Sequence, residues 1–155
     1  MGRVLFFGIY DPSYSRNAVL VQGFRENGWE VAECRIDPKA LGGLRKYWWL
    51  WQKGRKLESE KSDLVIVAFP GHTAVWLARL LFGPKIIFDM FVSLYNSEIE
   101  DRGKGNKVWN YFLDWHSARL AGKVLLDTQE HIRYVSSLVH LPQNKFIRVF
   151  VGSAI

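Results

Sequence analysis

The sequence predicts an α/β protein with a doubly wound, mainly parallel sheet of about six strands and helices on both faces. Short β-branched and aromatic runs alternate with longer segments of helical period, the pattern of successive βα units. Runs such as Leu64-Val65-Ile66-Val67-Ala68-Phe69 are apolar throughout and do not alternate, which suits strands covered above and below. The chain has 155 residues, 48% of them hydrophobic and 23% charged. That makes one domain with enough apolar surface for a core, and it excludes disorder and a disulfide-stapled miniature fold.

Taken in order, a strand over 4–9 opens the chain. Ser13 or Ser15 is placed to cap a helix over 15–27 that Gly28 ends. A strand over 30–36 holds Cys34, and a basic aromatic helix follows over 44–58. The apolar run at 64–69 is the third strand, broken by Pro70-Gly71-His72 before a helix over 73–82. Lys85-Ile86-Ile87-Phe88 is a fourth strand, ending at Asp89. Residues 96–106 lose apolar content and crowd Glu98, Glu100, Asp101, Arg102 and Lys104 with Gly103 and Gly105, so they read as a flexible loop. A helix over 107–121 stops at Gly122, and a strand over 123–126 follows. Asp127-Thr128-Gln129-Glu130 reads as a capping box, with Asp127 accepting from the Glu130 N–H, ahead of a helix over 129–138. A strand over 146–151 closes a single Rossmann-like domain spanning 1–155.

Several function classes are excluded. Cys34 is the one cysteine, so neither a bridge nor a thiolate metal site can form within the chain; it reads as a small buried hydrophobe in a reducing, cytoplasmic compartment. No stretch approaches the roughly 20 apolar residues of a membrane span. The histidines at 72, 116, 131 and 140 have no metal-ligand spacing, so no metal is expected. Gly8 is not followed by G-x-G-x-x-G, which disfavours NAD or FAD, and no Walker loop is present; no cofactor is expected.

Ligands of a doubly wound sheet sit at the carboxyl ends of its strands, where this chain places specific polar loops that would ring one cleft. After the first strand come Gly8, Tyr10, Tyr14, Ser15, Arg16 and Asn17, where a turn feeding a helix N-terminus suits a phosphate or carboxylate, or serves only as an Asp11-Pro12 turn. His72 follows the third strand, facing the cleft or serving the core. Ser93, Tyr95 and Arg102 follow the fourth, and Asp127, Thr128 and His131 the fifth. Asp89 lies between apolar neighbours, so it needs a partner or a raised pKa. It is the candidate functional acid, or a bracing carboxylate paired to Arg102.

The net charge of +6 has a location. Residues 39–56 hold six basic side chains, no acidic one, and three of the seven tryptophans. Leu44, Tyr47, Trp48 and Trp51 fall at i, i+3, i+4 and i+7, a stripe expected to pack on the sheet. Arg45, Lys46, Lys53 and Lys56, with Trp49 among them, would face outward. Cations with an indole suit an anionic bilayer surface, so Arg45, Lys46, Trp48, Trp49, Lys53 and Lys56 are the membrane-binding candidates; a merely solvated basic face is the alternative. Single-strand nucleic acid ranks lowest, because no nucleic-acid-binding motif accompanies the charge, and no nucleic-acid partner is expected.

Placed together, these pieces resemble the N-terminal domain of family 4 glycosyltransferases with the GT-B architecture, over nearly the whole chain. The resemblance rests on Arg3-Val4-Leu5-Phe6-Phe7-Gly8, on Gly28-Trp29-Glu30-Val31, and on Asp63-Leu64-Val65-Ile66-Val67 followed by Pro70-Gly71-His72. It continues through Phe88-Asp89-Met90-Phe91-Val92-Ser93-Leu94-Tyr95, Arg119-Leu120-Ala121-Gly122-Lys123 with His131, and Lys145 to Ala154. Many relatives carry a histidine after the fourth strand, where this chain has Asp89-Met90-Phe91.

The resemblance implies transfer of a sugar from a nucleotide-sugar donor to an acceptor with retention of configuration and without a bound metal. It implies that this domain binds the acceptor and a C-terminal domain holds the donor. The chain is thus expected to be the acceptor half of a peripheral enzyme at the inner membrane face, acting on a lipid-linked or envelope-destined acceptor and inactive without the donor domain. The alternative is a non-catalytic subunit that anchors a separate donor-binding polypeptide at the membrane.

Overall fold

The chain begins with β1 (Arg3–Ile9), α1 (Ser15–Glu26), β2 (Glu30–Ile36), α2 (Arg45–Glu58) and β3 (Leu64–Val67). It continues through α3 (Val75–Phe82), β4 (Ile87–Phe91), α4 (Lys107–Leu120), β5 (Lys123–Leu126), α5 (Gln129–Val139), a short 3-10 turn (Gln143–Lys145) and β6 (Phe146–Arg148). A computed structural model describes residues 1–58, 60–97, 102–103 and 105–152. Glu98, Glu100, Asp101 and Lys104 of the expected flexible loop, and Ser153 and Ala154, lie outside the described residues.

The six strands form one sheet in the order β2-β1-β3-β4-β5-β6, every neighbouring pair parallel, as in a Rossmann-like fold. The step from β1 to β2 runs one way across the sheet and every later step runs the other. Right-handed crossovers therefore put α1 on one face and α2 to α5 on the opposite one. The packing agrees. Val21, Leu20 and Phe24 of α1 meet Val4, Phe6 and Ile66. Leu50 of α2, Leu77 of α3, Ala118 of α4 and Val135 of α5 share a second cluster with Leu5, Phe7, Val67 and Phe88.

Alternate residues of β1 thus serve opposite layers, which explains its unbroken apolar character. Cys34 is fully buried with the larger cluster. Gly28 follows α1 with φ +77°, as a helix-ending glycine should.

Three strands shift from their expected bounds, β3 stopping at Val67, β4 running over Ile87–Phe91 and β6 stopping at Arg148, and four further local expectations change. Gly122 has no left-handed φ; the chain leaves α4 through an extended Ala121, and a Cβ on Gly122 would lie 2.6 Å from the Pro84 carbonyl oxygen. Close backbone approach, not capping, explains that glycine. The N-cap of α1 is Tyr14, which makes no side-chain bond, and neither Ser13 nor Ser15 takes the role. The N-cap of α5 is Thr128, whose Oγ1 accepts from the His131 N–H at 3.1 Å, so Asp127 does not close a capping box.

The buried line of α2 is also different. Leu50 and Gly54 are buried and Tyr47, Trp51 and Leu57 pack beside them, whereas Leu44 and Trp48 are 83% and 62% exposed. A Cβ on Gly54 would lie 2.6 Å from Leu81 Cδ1 and 3.3 Å from Phe7 Cε2. The helix backbone comes closest to the core at that glycine, and this turns Leu44 and Trp48 off the sheet.

Candidate functional site

The order β2-β1-β3 makes the carboxyl ends of β1 and β3 the point where the winding reverses, and crossing loops leave a crevice there. On the β1 side Asp11 Oδ1 accepts from the Ser13 N–H at 2.8 Å and from Ser13 Oγ at 2.6 Å. These bonds, the side-chain one foremost, hold the Asp11 carboxyl below its ordinary pKa. Buried Asn17 ties this loop to the next, its Nδ2 donating to the Asp11 carbonyl at 3.0 Å and to the Phe69 carbonyl at 2.7 Å. The Tyr14 ring lies 5.3 Å from that of Phe69, which meets Phe91 edge-on at 5.2 Å. Asp11, Tyr14, Asp37, Lys39 and Phe69 line a cavity of 300 Å³ at the ends of β1, β2 and β3.

Asp89 lies inside β4, not in the loop after it, and its partner is Arg16, not Arg102. Arg16 Nη2 is 2.9 Å from Oδ1 and Nε is 3.0 Å from Oδ2, with Arg16 2% exposed and Asp89 0%. Arg16 Nη1 donates to the carbonyls of Val149 and Phe150 at 2.8 and 3.2 Å, and the guanidinium lies over the Phe91 ring. One side chain therefore joins α1, β4 and the end of the β6 segment. Burial pushes the Asp89 carboxyl above the ordinary carboxylate range, against the pull of Arg16 and then His72. The ladder slips between Asp89 and Phe91, and Phe91 takes φ +60°, a conformation costly for a bulky residue.

A second polar cluster centres on Asp114, which the expectations from the sequence do not include. Asp114, fully buried in the middle of α4, accepts from Ser93 Oγ at 2.6 Å and from the N–H groups of Leu94 and Tyr95, each at 3.0 Å. This clamps the loop after β4. Asp114 Oδ1 is 3.2 Å from His72 Nε2, too poorly aligned for a hydrogen bond, so neither nitrogen of the buried His72 ring has an aligned partner among the described residues. A third pair sits after β5, where His131 Nδ1 lies 2.5 Å from Asp127 Oδ1 and both side chains are partly exposed.

No family model matches the chain, and no curated protein is significantly similar to it.

The expected loops do meet the carboxyl edge, but the side chains named for them line three different cavities. Tyr14 borders the 300 Å³ cavity, Tyr95 a hollow against α5, and His72 an apolar groove on the α2 to α4 side. Arg16, Asn17, Ser93 and Asp89 are buried in structural bonds. Tyr10 is buried as well, its hydroxyl donating to Glu33 at 2.9 Å, and Gly8 is enclosed by Val67 and Ala74. Tyr14 and Ser15 are exposed and Tyr95, Asp127, Thr128 and His131 partly so, and Arg102 is exposed.

On α2, Arg45, Trp48, Trp49 and Lys56 are exposed and Lys46 and Lys53 half-buried. Lys53 Nζ sits 4.8 Å over the Trp49 ring. Among the described residues no helix is long and apolar enough to cross a membrane.

The apolar groove is the largest feature the sequence reading missed. It has a volume of 620 Å³ and lies between α2, α3 and α4. Trp109 and Phe112 stack at 5.7 Å along one wall, and Tyr47 lies 6.0 Å from Trp76 across the junction of α2 and α3. Its sequence signal is Trp76, Leu80 and Trp109, aromatic and aliphatic residues that fall off the buried faces of α3 and α4.

Proposed function

We propose that this chain is the acceptor-binding domain of a retaining GT-B glycosyltransferase that works at an anionic membrane surface on a lipid-linked or envelope-destined acceptor. The observation that carries the reading is a juxtaposition. A parallel sheet opens polar loops at its carboxyl edge, while α2 turns cations and Trp49 outward and leaves Leu44 and Trp48 uncovered. Polar loops suit a saccharide headgroup, and a cationic indole-bearing surface suits the lipid that carries it.

In this reading the domain binds and orients, and the sugar donor and its nucleotide belong to a donor-binding domain. Asp89 is then a positioning residue, because both its oxygens are taken by Arg16. The same commitment favours the second reading, a non-catalytic anchoring subunit, since it leaves no available buried acid among the described residues of the loops.

An amide-resolved titration with lipid-linked saccharides separates the two. Acceptor binding predicts saturable shifts in the carboxyl-edge loops, at Tyr14, Tyr95 or His131. Vesicle binding without any saccharide-dependent shift would transfer the chain to the anchoring reading, and shifts caused by nucleotide sugars alone would contradict the acceptor role.

A further inference from the structure

The groove between α2, α3 and α4 is too exposed to be a core defect. Leu44 is 83% exposed, Leu80 69%, Trp48 62%, Trp109 54% and Trp76 44%, and all of them line one concave apolar surface. Contiguous apolar exposure on this scale marks an interaction site. The volume of 620 Å³ falls in the range of small-ligand sites.

The charge around it selects the occupant. Arg45 and Lys46 adjoin Leu44 in the chain, Lys46 Nζ lies 5.7 Å over the Tyr47 ring, and the Arg55 guanidinium lies 5.0 Å over the Trp51 ring, both rings lining the groove. The acids of these three helices are Glu58 at the far end of α2 and the fully buried Asp114. The helices that wall the groove thus present cations with almost no opposing exposed acid. A second copy would set those cations against the same sign and an apolar protein segment would leave them unpaired, whereas an anionic amphiphile satisfies both features. Indoles at the interface between apolar and charged zones fit the same occupant. His72 also lines the groove, 3% exposed, with both ring nitrogens lacking an aligned partner among the described residues.

We propose that this groove takes the hydrocarbon chain of an anionic lipid phosphate drawn from the bilayer, with its headgroup among the α2 cations Arg45, Lys46 and Arg55. The inference rests on the membrane-surface reading and gives it a substrate class, an acyl or isoprenoid phosphate.

Dodecyl phosphate, titrated below its micelle concentration and followed by tryptophan fluorescence and calorimetry, tests it. The wild-type protein should bind saturably, at least about tenfold more tightly than it binds dodecyltrimethylammonium. Leu80→Asp and Leu44→Asp, each at an exposed position, should separately weaken dodecyl phosphate by about tenfold or more while leaving the far-ultraviolet dichroism unchanged. Absence of saturable binding, equal binding of the cationic detergent, or indifference to both substitutions overturns the proposal. Concentration-dependent dimers that Leu80→Asp dissolves, without detergent binding, would assign the groove to a second copy and overturn it as well. Binding to phosphatidylglycerol vesicles without dodecyl phosphate binding removes the groove site and leaves the membrane reading standing. Detergent binding without vesicle binding does the reverse.

Discussion

Arg16 and Asp89, 73 residues apart in sequence, meet in a buried two-point contact that joins the start of α1 to the middle of β4. The guanidinium cannot shed its proton, whereas the carboxyl can take one. Asp89→Leu therefore strands a buried cation and should cost about 3–5 kcal/mol in urea unfolding. Asp89→Asn keeps an acceptor and should cost less.

Arg16→Met leaves a buried carboxyl whose pKa, already raised by burial, loses its main downward pull. A folded-state pKa above the unfolded value gives stability that is present at acid pH and lost as pH rises through the folded pKa. The gap between wild type and Arg16→Met should then widen as pH rises from the acid range toward neutrality, read from unfolding midpoints. A gap that narrowed over that range would contradict the raised pKa.

Burial pushes the Cys34 thiol up from 9.0 to about 11, with Lys53 opposing it. The folded pKa is the higher one, so the stability tied to this group is intact below pH 9 and lost as pH climbs toward 11. Iodoacetamide at about pH 8 should label the native protein far more slowly than the urea-unfolded chain, because the thiolate is the nucleophile. Comparable rates would show that the β2 thiol is accessible.

Two glycine substitutions should move stability in opposite directions. Gly122→Ala places its Cβ against the Pro84 backbone oxygen, which cannot step aside, and should cost about 1–3 kcal/mol. Gly23 lies within α1 with nothing within 4 Å of a Cβ, so Gly23→Ala should stabilise by roughly 0.5–1 kcal/mol. Thermal denaturation of both variants checks the pair.

The sheet was legible because the central runs at 4–9 and 64–69 are apolar throughout and the breaks fall at Pro70-Gly71, Gly28 and Gly122. β2 and β5 run over the residues expected, since each is bounded by turn or cap residues. Periodicity misplaced the buried line of α2, grouping Leu44 and Trp48 with Tyr47 and Trp51 in one stripe. The deciding feature was Gly54, whose missing side chain sets which face approaches Leu81 and Phe7.

The site was less legible. Asp89 was found as a carboxylate needing a partner, but no local spacing points to Arg16. Asp114, between Leu113 and Trp115, carries the same kind of signal as Asp89, a carboxylate in an apolar setting. The groove needed α3 and α4 placed beside α2 before Trp76, Leu80 and Trp109 could be seen as one surface.

Co-sedimentation with phosphatidylglycerol-containing vesicles against neutral phosphatidylcholine vesicles tests the central claim most directly. The protein should prefer the anionic vesicles, with binding reduced by about thirtyfold or more in Trp49→Ala/Lys53→Ala/Lys56→Ala, since each cation near the surface contributes on the order of 1 kcal/mol. Equal binding to both vesicles, or undiminished binding by the triple variant, would contradict it.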